Sequence, residues 1–213
     1  MGRDRRWRWA TRAVRGFPHW QAGAQVHALA NVLAATGMLA RRRPEAAEDL
    51  LAHLAAYLRG LLRPARSVAP LAEELRLVLA LVGVERARLG GRLRLEVSCH
   101  PEALTVLVPP LVLHPLVENA IQHAVARRAE GSHVCIRVRL VSGRLVLAVA
   151  DDGPGIQRPL PAHAGGGLVA LRCRLAALWG RQARVRVLRR RCGGTLAVAI
   201  LPAVGPRLAG PGG

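Results

Sequence analysis

Apolar residues in the N-terminal part of the chain recur at the spacing of two amphipathic helices. The first helix is predicted over residues 18–39, and its apolar positions are Val26, Leu29, Leu33 and Ala40. A basic turn at 41–43 is predicted to end it. The second helix is predicted over 44–62, with apolar positions Leu50, Leu51, Leu54, Tyr57, Leu58 and Leu61. Because two antiparallel helices cannot bury both apolar faces alone, this hairpin is expected to form a dimeric four-helix bundle.

The remainder of the chain mixes helical and alternating patterns. Helices are predicted over residues 70–89, 110–126 and 168–179. Strands are predicted over residues 92–99, 133–141, 144–150, 183–189 and 195–201. Ser142-Gly143 is a hairpin turn signal between two of these strands. The pattern indicates an α+β fold in which helices cover a mixed or largely antiparallel sheet.

Changes in composition divide the chain into four segments. Residues 1–17 form a basic arm, which either contacts a membrane surface or is the ragged start left from a longer ancestor. Residues 18–63 form the helical hairpin, and residues 64–202 form the α+β domain. Residues 203–213 form a Pro/Gly-rich tail that is predicted to be disordered.

The net charge of +19 raises the question of a nucleic-acid partner. All 32 basic residues are Arg and they are spread along the chain without an aromatic platform, which indicates a coding bias and no specific nucleic-acid partner.

The four Cys show no Cys-x-x-Cys spacing, so no metal site is predicted from them. There is no apolar run of the roughly 18 residues that a membrane span needs, so the chain as given is expected to be soluble and cytoplasmic.

Residues 115–123, Pro-Leu-Val-Glu-Asn-Ala-Ile-Gln-His, place polar groups within a predicted helix. Asn119 is a poor choice for packing there, and its amide oxygen is a suitable ligand for Mg²⁺. Glu118 precedes it, and His123 lies one turn later on the same face. A hydrogen-bonded helix residue without a ligand is the alternative interpretation of Asn119.

Two glycine-rich segments follow, each near the end of a predicted element. Asp151 follows an apolar strand and can accept a hydrogen bond from the adenine amine, while Gly153 and Gly155 let a base and ribose approach the backbone. The segment Gly165-Gly166-Gly167 precedes a helix, whose N-terminal N–H groups bind phosphate. An Asp-Gly turn and a flexible linker are the plainer interpretations. The sequence has no P-loop motif.

His27 lies beside the apolar face of the first predicted helix, so it should be partly exposed. Asn31 is four residues further on and shares its face. An imidazole nitrogen can attack the γ-phosphate of ATP and become phosphorylated. The alternative interpretation is that His27 has no chemical role. The predicted nucleotide-binding motifs further along the chain favour the interpretation of His27 as a phosphoacceptor.

In this order the motifs resemble those of the LytS-type sensor histidine kinases, over about residues 20–202. In that family a helical hairpin for dimerisation and histidine phosphotransfer precedes a Bergerat-fold (GHKL) ATPase domain, an α/β sandwich. The resemblance implies that Glu118 is the proton acceptor and Asn119 the Mg²⁺ ligand. It also assigns ATP binding to a further set of residues: His123, Asp151, Gly153, Gly155, Gly165, Gly167, Leu168 and Thr195.

The phosphoacceptor stretch departs most from the family pattern Asn-Pro-His-Phe-Leu-Phe-Asn. The chain has Gln-Val-His-Ala-Leu-Ala-Asn at 25–31, so His27 and Asn31 match, while the Asn-Pro and both Phe do not. Loss of two large buried side chains would cost about 3–5 kcal/mol each. Ala170 also stands where the family has Asn. The family's membrane-spanning or ligand-sensing half is expected to be missing, so that sensing falls to a partner or the chain is a truncated copy.

The resemblance therefore implies a homodimeric two-component kinase that uses ATP and Mg²⁺, is phosphorylated on His27 and passes phosphate to a response-regulator receiver domain. A membrane-embedded sensor protein is a further expected partner. The eroded stretch around His27 leaves a second hypothesis open, a non-catalytic ATP-binding regulator of the pseudokinase or anti-sigma kind. An ATP-driven clamp similar to DNA gyrase B or MutL would need a domain after residue 202, where only a short tail follows.

Overall fold

The computed structural model describes residues 33–34, 36–37, 39–61, 68–89, 92–125, 131–155 and 166–203. Within them, the helices after residue 43 are α1 (Pro44–Leu61), α2 (Leu71–Arg88), α3 (His114–Val125) and α4 (Gly166–Trp179). The strands are β1 (Ala69–Pro70), β2 (Leu93–Cys99), β3 (Leu107–Val108), β4 (Ser132–Val141), β5 (Arg144–Asp151), β6 (Arg184–Arg189) and β7 (Thr195–Pro202). Short 3₁₀ helices occupy Pro101–Thr105 and Gly180–Gln182.

Five strands form one mixed sheet in the order β2-β4-β5-β7-β6. The β2–β4 pair is parallel and the other three pairs are antiparallel. The tight turn between β4 and β5 is the predicted one, because Ser142 and Gly143 both have positive φ, at 48° and 70°. The predicted α+β class and the mixed sheet are confirmed.

Alternate residues of the central strands point to one face and are buried there. On β5 these are Leu145, Leu147 and Val149, at most 1% exposed, and they pack with apolar residues of α2, α3 and α4 in one core. Burying one such side chain contributes about 1.5–3 kcal/mol. The described helices of this core therefore lie on one face of the sheet.

Helix α3 begins at His114, four residues later than predicted, and the carboxylate of Glu74 explains the difference. Leu111 has a φ of 56°, which interrupts any helix there. The backbone N–H groups of Leu111, Val112 and Leu113 donate to the Glu74 carboxylate over 2.8, 2.9 and 3.2 Å. Burial raises the pKa of Glu74, and the three N–H donors and Arg174 oppose that rise.

The break predicted at 41–43 falls at Arg43, which is non-helical and separates a helical stretch that ends at Arg42 from α1. Residues 39–42 are helical, and the N–H of Arg43 donates to the carbonyl of Leu39 over 2.7 Å. The N–H of Ala47 in turn donates to the carbonyl of Arg43 over 3.2 Å. Pro44 has no N–H to donate and is the first residue of α1, a position that suits proline. Most of the first predicted helix lies outside the described residues.

Helix α1 packs against α2 of the same chain. Leu50 and Leu54 of α1 are 2% and 6% exposed and form a small core with Val84 of α2. Part of the apolar face assigned to a four-helix bundle is therefore covered within one chain. Leu51, on the other side of α1, is 45% exposed.

Strands β1 and β3 form a two-stranded antiparallel sheet that the sequence analysis missed. Ala69 pairs with Val108, and Pro70 with Leu107. Two-residue strands are too short to show an alternating pattern, so the sequence gives no signal for them. This pairing ties the start of α2 to the segment before α3.

Candidate nucleotide-binding site

Asp151 lies at the end of β5 and is 1% exposed. Its Oδ1 accepts hydrogen bonds from the backbone N–H of Gly153 over 2.9 Å and of Thr195 over 3.2 Å. These bonds hold the carboxylate at the junction of β5 and β7, since Thr195 is the first residue of β7. A buried carboxylate fixed in this way can accept a further hydrogen bond from the amine of a base.

Glycines allow two loops to touch beside this carboxylate. Gly194 has a φ of +82°, and a Cβ there would collide with the carbonyl oxygen of Asp151. Gly155 has a φ of +80°, and a Cβ there would lie 3.1 Å from the carbonyl oxygen of Gly194. Positive φ and close backbone contact both favour glycine. The structure therefore brings the predicted segment 151–155 against the glycines that precede the predicted residue Thr195.

Thr195 supplies a test of whether these residues fit a nucleotide. It is 1% exposed, and its Oγ1 is buried with no hydrogen-bond partner among the described residues. A buried hydroxyl without a partner costs roughly 1–3 kcal/mol. A purine seated against Asp151 and Thr195 could satisfy it directly or through a water molecule, so the polar groups fit a nucleotide base.

Helix α3 presents the polar residues of the first motif. Asn119 is 9% exposed, and its amide makes no hydrogen bond to another residue that the structure describes. Its oxygen is a donor of the kind that Mg²⁺ prefers, so the residue fits that ion. Glu118 is 36% exposed, and burial, followed by the nearby charge of Glu85, raises its pKa. The side chain of His123 lies outside the described part.

The start of α4 faces the first turn of α3. The helix begins at Gly166, two residues before the predicted start. A Cβ on Gly167 would lie 3.4 Å from Cβ of Pro115 and 4.0 Å from Oε2 of Glu118. The N–H groups in the first turn of a helix can bind phosphate. Leu168 is 9% exposed and anchors this end of α4 in the core.

The structure thus places most of the predicted ATP-site residues in two groups, which are joined because α3 packs on β4 and β5. The first group lies at the ends of β5 and β7: Asp151, Gly153, Gly155 and Thr195. The second lies where α3 meets α4: Glu118, Asn119, Gly167 and Leu168. His27, Asn31 and Gly165 lie outside the described residues, so their predicted places stay predictions.

Two residues beside Glu118 were missed by the sequence analysis. His114 lies one turn before Glu118 on α3, and its Nδ1 is 3.8 Å from Oε2 of Glu118. The Nε2 of His114 shares a 2.9 Å hydrogen bond with the hydroxyl of Tyr57 on α1, and the two rings stack at 5.6 Å. Tyr57 fitted the apolar face of a helix and carried no separate signal. The spacing of His114 to Glu118, four residues, was visible in the sequence.

Burial lowers the pKa of His114 from 6.5 to about 4. Between these pH values the unfolded chain takes up a proton at His114 that the folded chain does not, so the free energy of unfolding should fall as the pH falls from 6.5 to 4. The loss is roughly 3 kcal/mol at 1.36 kcal/mol per pKa unit. Urea denaturation of the wild type and of His114→Gln at pH 7 and pH 4 checks this. Equal acid-dependent losses in the two proteins would contradict the assignment.

Comparisons with known proteins find relatives of this chain both by sequence and by structure. A family model described as histidine kinase matches residues 19–93, a segment that includes His27 and Asn31. Sensor protein LytS of Bacillus subtilis is 32% identical over 179 residues, covering 78% of this chain and 30% of that protein. Sensor protein LytS of Bacillus cereus is 36% identical over 138 residues, covering 64% of this chain and 23% of the relative.

The fold also has solved counterparts. The nucleotide-free catalytic domain of histidine kinase ThkA superposes with a TM-score of 0.52 at 18% identity, covering 65% of this chain and 97% of that domain. The fold is therefore the one found in the catalytic domains of histidine kinases. The chain is a relative of the LytS sensor histidine kinases, as the motifs predicted, and it spans about a third of their length or less. Among the described residues, no helix is long and apolar enough to cross a membrane.

Proposed function

We propose that this chain is the ATP-binding and phosphotransfer part of a two-component sensor histidine kinase. The observation that carries the proposal is the pocket edge formed by Asp151 and Thr195, where a buried hydroxyl lacks a partner among the described residues beside a fixed carboxylate. The motif order supports it, since α3 and the start of α4 bring Glu118, Asn119 and Gly167 to the same side of the sheet.

Each site residue has a role in this proposal. Asp151 accepts a hydrogen bond from the adenine amine, Gly153 and Gly155 admit the base and ribose, and Thr195 completes the polar contacts of the base. The first turn of α4, with Gly165, Gly167 and Leu168 at or before it, holds the phosphates. Asn119 and His123 lie on α3 beside the phosphates, and Asn119 would hold Mg²⁺, which neutralises phosphate charge when bound.

The transfer step joins the imidazole of His27 to the γ-phosphorus of ATP. A P–N bond forms, the bond between the γ-phosphorus and the bridging oxygen breaks, and ADP leaves with the electron pair. Glu118 accepts the proton that the imidazole loses, and its raised pKa suits this role. Asn31 orients the ring of His27 from one turn away. The phosphoryl group then passes to an aspartate of a response-regulator receiver domain.

Label transfer from γ-labelled ATP to the purified chain tests this function. We expect an acid-labile, alkali-stable label in the wild type and none in His27→Gln. Asn119→Ala should still bind nucleotide while losing label, because it removes the Mg²⁺ ligand and leaves the Asp151 side of the pocket intact. A folded wild type that binds ATP and takes up no label would contradict the kinase.

A non-catalytic ATP-binding regulator is the second candidate, and one observation favours it. The stretch 25–31 keeps His27 and Asn31 but has Ala at positions 28 and 30, where the family pattern has Phe. Transfer is sensitive to small displacements of the acceptor. Nucleotide binding with a normal affinity, together with an absence of label, would establish this candidate in place of the kinase.

The proposal includes a homodimer assembled through the helical segment. Leu51 is 45% exposed on α1, on the side that α2 does not cover, and the first predicted helix supplies further apolar residues. Light scattering at micromolar concentration should therefore give twice the chain mass of 22.8 kDa. Leu51→Glu should shift the mass toward the monomer, and a monomeric wild type would contradict the bundle. A membrane-embedded sensor protein remains part of the proposal as a further partner.

A further inference from the structure

The face of the sheet that the core does not use has an unusual composition. A sheet packed on one face normally carries polar residues on the other. On β5 and β7 the outward residues are apolar and half-buried, namely Val146, Ala148, Ala150, Leu196, Val198 and Ile200. With Leu145, Leu147 and Val149 facing inward, both central strands are apolar on both faces, which is typical of strands covered on both sides. We call these six outward residues the central stripe.

Arginines border the central stripe on both sides at matched positions. The strand pairing places Arg139, Val146, Ile200 and Arg184 in one row across β4, β5, β7 and β6. The next row is Arg137, Ala148, Val198 and Arg186. Two consecutive rows therefore read Arg, apolar, apolar, Arg. We call the four arginines the flanking arginines.

The flanking arginines are exposed, and none makes a hydrogen bond or ion pair with another described residue. Like charges at adjacent positions on one sheet face repel each other. The arginine columns of β4 and β6 stand three strand spacings apart, about 14 Å at the usual 4.8 Å per strand. Between them lie Val146 and Ile200 in one row and Ala148 and Val198 in the next, and all four side chains are shorter than that of arginine. The face is therefore a shallow apolar trough with positive walls.

We propose that this trough is a docking surface for an amphipathic helix of another protein, with acidic residues on both sides of its apolar face. A helix is about 10–12 Å wide with its side chains, which fits the spacing of the arginine columns. Its apolar face would cover the central stripe, and its carboxylates would pair with the flanking arginines on either side. The inference does not depend on phosphotransfer to His27.

Two other occupants fit the trough less well. A second copy of this chain laid face to face on the sheet would set the flanking arginines of one copy against those of the other. An anionic membrane favours a surface with protruding aromatic or large apolar residues. No aromatic residue is among the outward positions of β4, β5, β6 and β7, and the residues at the centre of the two rows are half-buried and do not protrude. Charge and shape together favour the acidic helix.

Fluorescence anisotropy with the full chain tests the proposal. The probe is a labelled synthetic helical peptide with Leu along one face and Glu on both sides of it. Binding should weaken at least 10-fold in the double variant Arg137→Glu/Arg186→Glu, which reverses one charge on each side of the trough. The matched control Arg76→Glu/Arg172→Glu changes the net charge equally at exposed helix positions and should bind the peptide about as the wild type does.

Three results would overturn the proposal. The first is equal weakening in the two double variants, which would mean that only net charge matters. The second is equal affinity for a peptide in which Lys replaces every Glu, and the third is an absence of peptide binding in the wild type. Vesicles of phosphatidylglycerol form a separate arm. If the wild type binds these vesicles but not the peptide, and the Arg137→Glu/Arg186→Glu variant loses vesicle binding, the occupant of the trough would be a membrane surface and not an acidic helix. Circular dichroism of both variants confirms the fold.

Discussion

Asp151→Asn should weaken ATP binding by about 100-fold or more. The Oδ1 of Asp151 accepts two backbone N–H bonds, from Gly153 and Thr195, and an asparagine oxygen can keep them. The asparagine amide would then present a donor where the proposed adenine amine needs an acceptor. Loss of a hydrogen bond to a charged group costs about 1.5–3 kcal/mol, and an unsatisfied buried donor adds roughly 1–3 kcal/mol. Calorimetric titration with a non-hydrolysable ATP analogue and Mg²⁺ measures the change.

The neighbouring residue provides a matched control for this experiment. Asp152 is only partly buried, and its Oδ1 accepts the backbone N–H of His133 over 2.9 Å. Asp152→Asn removes the same charge from the next position and can keep that bond, so its dissociation constant should stay within about twofold of the wild-type value, as expected for a surface change within roughly 0.5 kcal/mol. A wild-type affinity in Asp151→Asn would place the nucleotide elsewhere. A similar loss in both variants would point to net charge.

The strands and helices were predictable because their patterns are long and local. Helix α2 and strand β5, for example, follow apolar periodicity with turn or glycine signals at their ends. The glycine segments at 153–155 and 193–194 were predictable as candidate loops from their composition. Their mutual contact, in which Gly194 leaves no space for a Cβ beside Asp151, depends on the pairing of β5 with β7.

What the sequence could not provide are contacts between distant positions. In the sequence, Glu74 is an ordinary acidic residue in the first turn of a predicted helix, where the helix dipole stabilises negative charge. Its partners lie 37 to 39 residues away in the loop before α3. Tyr57 and His114 are 57 residues apart, and no local pattern connects them. The basic cluster and Pro44 located the break between the first two helices, but the helical stretch continues to Arg42, beyond its predicted end at residue 39.

Glu74→Ala should destabilise the fold by about 3–5 kcal/mol. The Glu74 residue is 3% exposed, and its carboxylate accepts all three N–H groups of residues 111–113, the segment that leads into α3. Arg174 of α4 donates to the carbonyl of Leu111 over 2.8 Å in the same network. Removing Glu74 would leave buried N–H donors unsatisfied and the charge of Arg174 less well compensated. Urea denaturation measures the free energy of unfolding.

Glu74→Gln separates the hydrogen bonds from the packing. Glutamine has the same shape, but one of its two acceptors becomes a donor that faces a backbone N–H, so we expect a loss of about 1–3 kcal/mol without a cavity. Glu102→Gln, at an exposed position, is the matched control and should change stability by less than about 0.5 kcal/mol. The double variant Glu74→Ala/Arg174→Ala should lose less than the sum of the single changes, because both residues stabilise one segment. Residues 111–113 lead into α3, which carries Glu118 and Asn119. If Glu74→Gln and Glu102→Gln lost equal stability, the hydrogen bonds of Glu74 would contribute nothing, and packing alone would hold this segment in place.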